Sequence, residues 1–307
     1  MPRGKRSQNK TGAGTFAHVI RAYLNSPKFD ALAKSTRENY ALPLKLAEST
    51  LGAIEVHVIR PALIQGFLDG YEGRPAAQKC AQTSLKALEK WAIVRDLLPQ
   101  HITTGTQAPG STGGHLPWTD VQVELAEQHA RAHLARIITL AANTGQRGSD
   151  LVKMRWSDLE EYEGRLGINV TQIKTAKVLW VPFTAQLAAA VATWERRPGY
   201  LALKEDGMPW ERTHLSDQWL RERNTRPALS PLKEAGCVLH GLRGTACVRL
   251  LRAGAHTRQI ADMVGMSEMM VKRYTRFSEQ RKNALAAVHY LDRTKPDSGT
   301  LKARTKP

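Results

Sequence analysis

Four residues, in a fixed order, set the question this chain poses: Arg147, then His240 and Arg243 within His-Gly-Leu-Arg, then Tyr274. Two guanidinium groups can clamp a phosphate through forked hydrogen bonds. An imidazole can take up a proton near neutral pH. A phenol, with a pKa of about 10, becomes a nucleophile when cationic neighbours and a base favour its ionised form. The surrounding chain carries 45 Lys and Arg against 28 Asp and Glu, a net charge of +17. Its isoelectric point is about 10.0. A polyanion is the partner such a surface favours, so the phosphate is expected to belong to nucleic acid.

Each member also has a plainer explanation. His240 and Arg243 sit three apart at the head of an apolar stretch, Gly-Thr-Ala-Cys-Val-Arg-Leu-Leu. They are therefore expected on one face of the first turn of a helix, where free N–H groups already favour anions. Alone, that pair is more often a surface arginine beside a half-buried histidine. Arg147 lies in Ala-Asn-Thr-Gly-Gln-Arg-Gly-Ser-Asp, where one helix is expected to stop and another to start. Asp150 is placed to hold it, although a capping role fits equally well. Lys174, in Gln-Ile-Lys-Thr-Ala-Lys, falls at the tip of an expected hairpin and could bring a proton to a leaving oxygen. Lys177 competes for that role, and an exposed loop lysine is the commoner case. Tyr274 closes Val-Gly-Met-Ser-Glu-Met-Met-Val-Lys-Arg-Tyr, and its alternative is an amphipathic tyrosine on a helix face.

These residues need a scaffold, and 307 residues suffice for two cores. Hydrophobic residues at 42% and charged residues at 24% fit a folded soluble protein. Residues 1–14 form a basic tail. Residues 15–100 read as a helical domain with no strand signal: Phe16, Val19, Ile20 and Tyr23 share a helical face. Ser35 and Glu38 match a capping box ahead of Tyr40, Leu42, Leu44 and Leu46. Residues 101–117, rich in Gly, Thr and Pro, lose any apolar period and predict a linker. A basic helical domain on a flexible strap suggests a clamp able to close around a duplex.

The second domain, 118–290, is expected to open with helices, including one over Ser149–Leu159. It then passes through a hairpin, Arg-Leu-Gly-Ile-Asn-Val-Thr against Lys-Val-Leu-Trp-Val-Pro-Phe, and returns to helix from Thr184 onward. A basic tail, 291–307, ends the chain. The tails carry +4 (residues 1–12) and +3, leaving +10 of the +17 in the body. The folded part is thus itself basic, as an extended nucleic-acid surface requires. Cys80, Cys237 and Cys247 form neither a CxxC pair nor a disulfide framework, so reduced thiols and a cytoplasmic setting are expected. The basic N-terminus lacks an apolar segment, and no stretch approaches the ~20 apolar residues that span a bilayer.

Together, Arg147 in Thr-Gly-Gln-Arg-Gly-Ser-Asp-Leu, Lys174 in a hairpin before Val-Pro-Phe, His-Gly-Leu-Arg at 240–243, and a tyrosine after Val-Gly-x-Ser resemble the tyrosine recombinase (phage integrase) family over about residues 15–290. The resemblance implies a mainly α fold with a small β-sheet: a helical core-binding domain followed by a mixed catalytic domain. It implies that Tyr274 attacks a scissile phosphate to form a 3′-phosphotyrosyl link, without metal, ATP or other cofactor. Arg147 and Arg243 would stabilise the developing charge, His240 would act as general base and Lys174 as general acid. Double-stranded DNA would be the partner, with no small-molecule substrate and no membrane. A homotetramer would assemble on paired sites and pass through a Holliday junction, with residues 284–293 docking on a neighbouring protomer. A cytoplasmic, nucleoid-associated protein in a bacterial or phage setting is implied.

Two departures from the family pattern are visible. Met266 stands where the family usually has His or Trp, and it can donate no hydrogen bond from its side chain. Tyr274 lies eight residues beyond it, where nine is usual. Asp150 replaces the usual Glu, a milder change. These departures keep a rival open: a non-catalytic DNA-binding protein, either a degenerate recombinase acting as an accessory binder or a regulator. Residues 256–277 also fit helix-turn-helix patterning, with Ala261, Gly265 and Val271 at its key positions.

Overall fold

Helix-period apolar spacing governs both halves of the chain, and the computed structural model describes residue 12 and residues 14–109, 114–197 and 199–293 of it. Of the expected tails, 1–14 and 291–307, residues 1–11, 13 and 294–307 lie outside the described residues, as do 110–113 within the expected linker, while 291–293 continue the last helix. The chain divides into two units, residues 1–114 and 115–307.

The first unit is helical: α1 (Phe16–Leu24), α2 (Pro27–Asp30), α3 (Lys34–Leu51), α4 (Pro61–Asp69) and α5 (Pro75–Ile93). Thr15 caps α1 by accepting the His18 N–H, and the expected face of Phe16, Val19, Ile20 and Tyr23 is buried. The capping box at Ser35 does not form. α3 starts at Lys34 with Ala33 at its cap and no side-chain cap bond. Leu42 and Leu46 are exposed and Leu44 is buried. Residues two apart on a helix point to different sides, so a run spaced by two cannot share one face. Pro43, Leu44 and Ala47 supply the buried stripe instead.

The expected linker is also shorter at its start. Glu89 accepts the N–H groups of Ile102 and Thr103, Gln82 Nε2 donates to the Thr106 carbonyl at 2.8 Å, and Ile102 is fully buried. Residues 101–107 therefore belong to the helical unit, because their backbone groups are satisfied by its side chains.

In the second unit follow α6 (Asp120–His129), α7 (Ala132–Thr144), α8 (Gly148–Leu151), β1 (Leu159–Tyr162), β2 (Arg165–Thr171), β3 (Val178–Pro182), α9 (Ala185–Ala192), α10 (Arg212–Thr225), α11 (Ser230–Glu234), α12 (Gly241–Arg252), α13 (Thr257–Val264) and α14 (Glu268–Arg293). The mixed, mainly helical fold class is as expected. The strands form an antiparallel sheet in the order β1-β2-β3, with Ile168 opposite Val181. β2 and β3 are the expected hairpin, and β1 is an addition to it.

The helix expected over Ser149–Leu159 is cut short. α8 has four residues, and the chain then runs extended so that Leu201 N–H bonds Met154 O and Trp156 N–H bonds Gly199 O. That long-range pairing outweighs local helix propensity. Ile137, Ile138, Val181, Phe183, Trp219 and Leu242 contribute to the main core, and Cys247, Ile260, Val264 and Val271 to a smaller cluster beneath α12–α14. Among the described residues no helix is long and apolar enough to cross a membrane.

Candidate active site

The site grows from three places where helices begin or end. At the first, α7 stops at Gly145 in the left-handed region, and Arg147 then caps α8. Arg147 Nη1 donates to Gln172 Oε1 at 2.9 Å and stands 3.9 Å from the Asp150 carboxylate, whose side chain is fully buried. Asp150 also accepts the Ile173 N–H at 2.9 Å. Asp150 thus binds the β2–β3 turn and faces Arg147 at once, so the arginine is aimed by one acceptor and one carboxylate charge and keeps further donors for a ligand.

Gln172, which the sequence analysis did not single out, ties three segments together. Its Nε2 donates to Gln146 Oε1 at 2.9 Å and to the Val264 carbonyl at 3.1 Å, and its Oε1 accepts from Arg147 and Thr175. It is fully buried. A Cβ on Gly265, the αL residue that ends α13 with φ 64°, would lie 2.4 Å from Gln172 Nε2, so the turn accepts only glycine. The signal was present: Ile168, Val170 and Gln172 alternate, which places a polar side chain at an inward position of the strand.

Lys174 and Lys177 flank the turn that Gln172 anchors. Gln172 N–H bonds Lys177 O at 2.8 Å and Ala176 N–H bonds Gln172 O at 2.8 Å, with Ala176 at a φ of 52°. Both lysines are exposed, and neither ammonium group makes a hydrogen bond or ion pair with another described residue. The structure brings the base of the turn to Arg147 but not the lysine ammonium groups themselves.

At the second place, His240 caps α12 and Arg243 lies in its first turn. Arg243 is 3% exposed. Its Nη1 donates to the Gly145 carbonyl, while its Nη2 is buried with no partner. A buried donor without an acceptor costs free energy until something accepts from it, and an anionic oxygen suits it. Burial, then the neighbouring Arg147, pulls the Arg243 guanidinium down to about 10, so it stays charged at neutral pH.

At the third, α14 carries Tyr274. Val271 and Thr275, three before and one after it, are fully buried, so the face including the half-buried Tyr274 is turned inward. The Tyr274 hydroxyl is 3.4 Å from His240 Nε2. Burial raises the Tyr274 pKa above its usual value despite the opposing pull of Arg243, Arg273 and Arg147. Burial lowers that of His240, assisted by His115, Arg243, Arg212 and Arg147. The resting pair is a protonated phenol facing a neutral imidazole, the state in which the imidazole can take the proton.

Met266 is 9% exposed and packs in the apolar cluster with Cys247, Ile260, Val264 and Val271. Its side chain serves the core. The short step from Met266 does not displace the tyrosine: the Ser267 carbonyl accepts the Met270 N–H at 2.9 Å in the first turn of α14, and the helix carries Tyr274 to His240. α13, Gly265 and α14 do form a helix-turn-helix, but its second helix turns Val271 and Thr275 inward rather than presenting that face.

Two arginines, a histidine and a tyrosine converge within one α+β unit, with Arg243 on the Gly145 carbonyl and the Tyr274 hydroxyl facing His240. The profile of the phage integrase family matches residues 121–281, more than half of the chain. The chain belongs to the phage integrase family, the tyrosine recombinases. No curated protein matches its sequence. Among solved structures, a lambda integrase tetramer bound to a Holliday junction superposes with a TM-score of 0.72 at 20% identity, covering 87% of this chain and 78% of that one. The Tn1549 transposon integrase in complex with transposon right-end DNA gives 0.69 at 16% identity, covering 88% and 99%. The XerH site-specific recombinase bound to palindromic difH substrate gives 0.63 at 14%, covering 89% and 94%. Each shares the fold.

Proposed function

We propose that this recombinase cuts and rejoins double-stranded DNA through Tyr274, and that the arrangement of Tyr274, His240 and Arg243 carries the assignment. The Tyr274 oxygen attacks the scissile phosphorus as His240 Nε2 takes its proton. The P–O5′ bond breaks, and the departing 5′ oxygen is protonated to a free hydroxyl by Lys174. The product is a 3′-phosphotyrosyl link that keeps the energy of the original bond. Attack by a partner strand's 5′-hydroxyl reverses the step. Arg147 and the open Nη2 of Arg243 stabilise charge on the non-bridging oxygens in a site where water is partly excluded.

Exchange between two duplexes needs four such cuts, so four protomers on paired sites through a Holliday junction is the assembly proposed, in the cytoplasm with the nucleoid DNA. The α14 end, residues 284–293, is proposed to dock on a neighbouring protomer. Leu285, Val288 and Tyr290 support this, being 65%, 52% and 71% exposed along this end of the helix.

The test is covalent capture. A nicked duplex carrying the site recovered by selecting bound DNA fragments should accumulate a protein–DNA adduct that survives denaturant, and Tyr274→Phe should abolish it while retaining most DNA affinity. An adduct with Tyr274→Phe would refute the nucleophile. No adduct with the wild type on a verified site would favour a DNA binder without cleavage chemistry.

A further inference from the structure

The residues just ahead of α6 form one wall of the site. Trp118 N–H donates to Thr245 Oγ1 at 2.7 Å, Thr245 Oγ1 donates back to the Trp118 carbonyl at 3.0 Å, and Trp118 Nε1 donates to the Val238 carbonyl at 2.9 Å. The approach is close. A Cβ on Gly241 would stand 2.4 Å from the Leu116 carbonyl oxygen. One on Gly244 would meet Tyr274 Cδ1 at 2.8 Å and Pro117 Cγ at 3.0 Å. Pro117 and the ring of Tyr274 therefore press on the same glycine. The segment His115–Trp118 is a strap laid over the first turns of α12, fixed by hydrogen bonds and by two glycines with no side chain to spare.

At the head of this strap, the ring of His115 packs against that of His240. Their centroids are 5.4 Å apart and the planes meet at 75°, the edge-to-face arrangement that aromatic rings favour, and no hydrogen bond joins the two imidazoles. Both histidines are exposed, and His115 touches the His240 ring while leaving Nε2 to face Tyr274 at 3.4 Å. The other groups around His240 are Arg243 of α12, Arg212 at the start of α10, Arg147 at the cap of α8 and Tyr274 of α14. All but the tyrosine are cationic, so the surround of His240 favours the neutral imidazole.

We propose that His115 is a positioning residue for strand cleavage, resting on the base role given to His240: its ring holds the His240 imidazole with Nε2 turned to the Tyr274 hydroxyl and able to accept its proton. His115 acts through His240 and needs no contact with the DNA. The sign of its effect follows from what it does to that ring. Removing His115 takes away one of the groups that hold the His240 pKa down, which favours the protonated imidazole. His240 should then hold its proton to higher pH, and the acid limb of cleavage should move up with it.

Two measurements on the full chain test this. In free protein, with histidine ring carbons labelled and His240 identified by loss of its signal in His240→Asn, the titration midpoint of His240 should rise toward about 6.5 in His115→Ala. His115→Phe, which keeps an aromatic edge on His240, should return most of the shift. In single-turnover cleavage of the nicked duplex at saturating DNA, His115→Ala should be slower by up to roughly fourfold at pH about 6, converging on wild type above pH about 7 with its acid limb displaced upward, and His115→Phe should recover most of the rate. A His240 midpoint and a pH profile that both superimpose on wild type in His115→Ala would overturn the proposal. If the wild type forms no Tyr274 adduct, the strand-transfer assignment fails, and the His240 midpoint in the free protein then decides the His115 contact by itself.

Discussion

Lys174 and Lys177 flank one turn and carry the same charge, so only chemistry separates a proton donor from a charge on the surface. The difference is testable at the leaving atom. A thiol ionises at about 8.5, far below an alcohol. A bridging sulfur in place of the 5′ oxygen therefore needs no proton to depart. Lys174→Ala should slow cleavage of ordinary DNA by about 10²–10⁴-fold and cleave the sulfur substrate at nearly the wild-type rate. Lys177→Ala should show no such rescue. If the rescued variant is Lys177→Ala, the two roles are exchanged.

Arg243 illustrates the opposite case at the same scale, a residue whose position rather than type is decisive. Its guanidinium is buried, half satisfied by Gly145 and half open. A lysine there would keep the charge and lose the fork. Met266, expected at a position where His or Trp is usual, is a member of the apolar cluster.

Among the elements, the β2–β3 hairpin does more than present a lysine. Through Gln172 it fixes Arg147 on one side and the Val264–Gly265 turn on the other. Gln172→Leu keeps volume but strands the Gln146 side chain, the Val264 carbonyl and Arg147. It should destabilise the second unit by about 1–3 kcal/mol, a fall in Tm of roughly 2–4 °C per kcal/mol, read by thermal unfolding. Cleavage should fall further than stability explains, because Arg147 loses its acceptor. A variant that melts and cleaves like wild type would show that the tie is dispensable.

Element existence was legible wherever apolar spacing was strong, as in α1 and the hairpin. The errors came from competing local and distant demands. Ser35 lies inside α3, one residue past its first, because Ala33 caps the helix; the segment after α8 was drawn out of helix by pairing with residues 199–201. Gln172 was readable from strand alternation, but its partners at 146 and 264 were not, since they come from distant turns.

For the whole molecule, charge is the property that sequence alone predicts best. With +10 remaining in the body after both tails are discounted, binding to any duplex should be strongly salt dependent. If about six phosphates are neutralised, the logarithm of affinity should fall with the logarithm of salt at a slope of about −5, measured by titration over a salt series. A slope near −1 would mean that the basic surface is not the DNA surface.

What the sequence determined by itself was the set of groups, their order and the sign of the field around them, because these depend only on composition and short-range spacing. It also determined the family, through motifs that are local. Tertiary structure decided which groups meet. Arg243 reaches the Gly145 carbonyl across 98 residues of chain, and Tyr274 reaches His240 across 34. It decided that Met266 faces the core, and that His115 turns its ring onto the proposed base. Such contacts follow from how helices pack over the sheet, a balance of many weak burial terms that no stretch of the sequence carries alone.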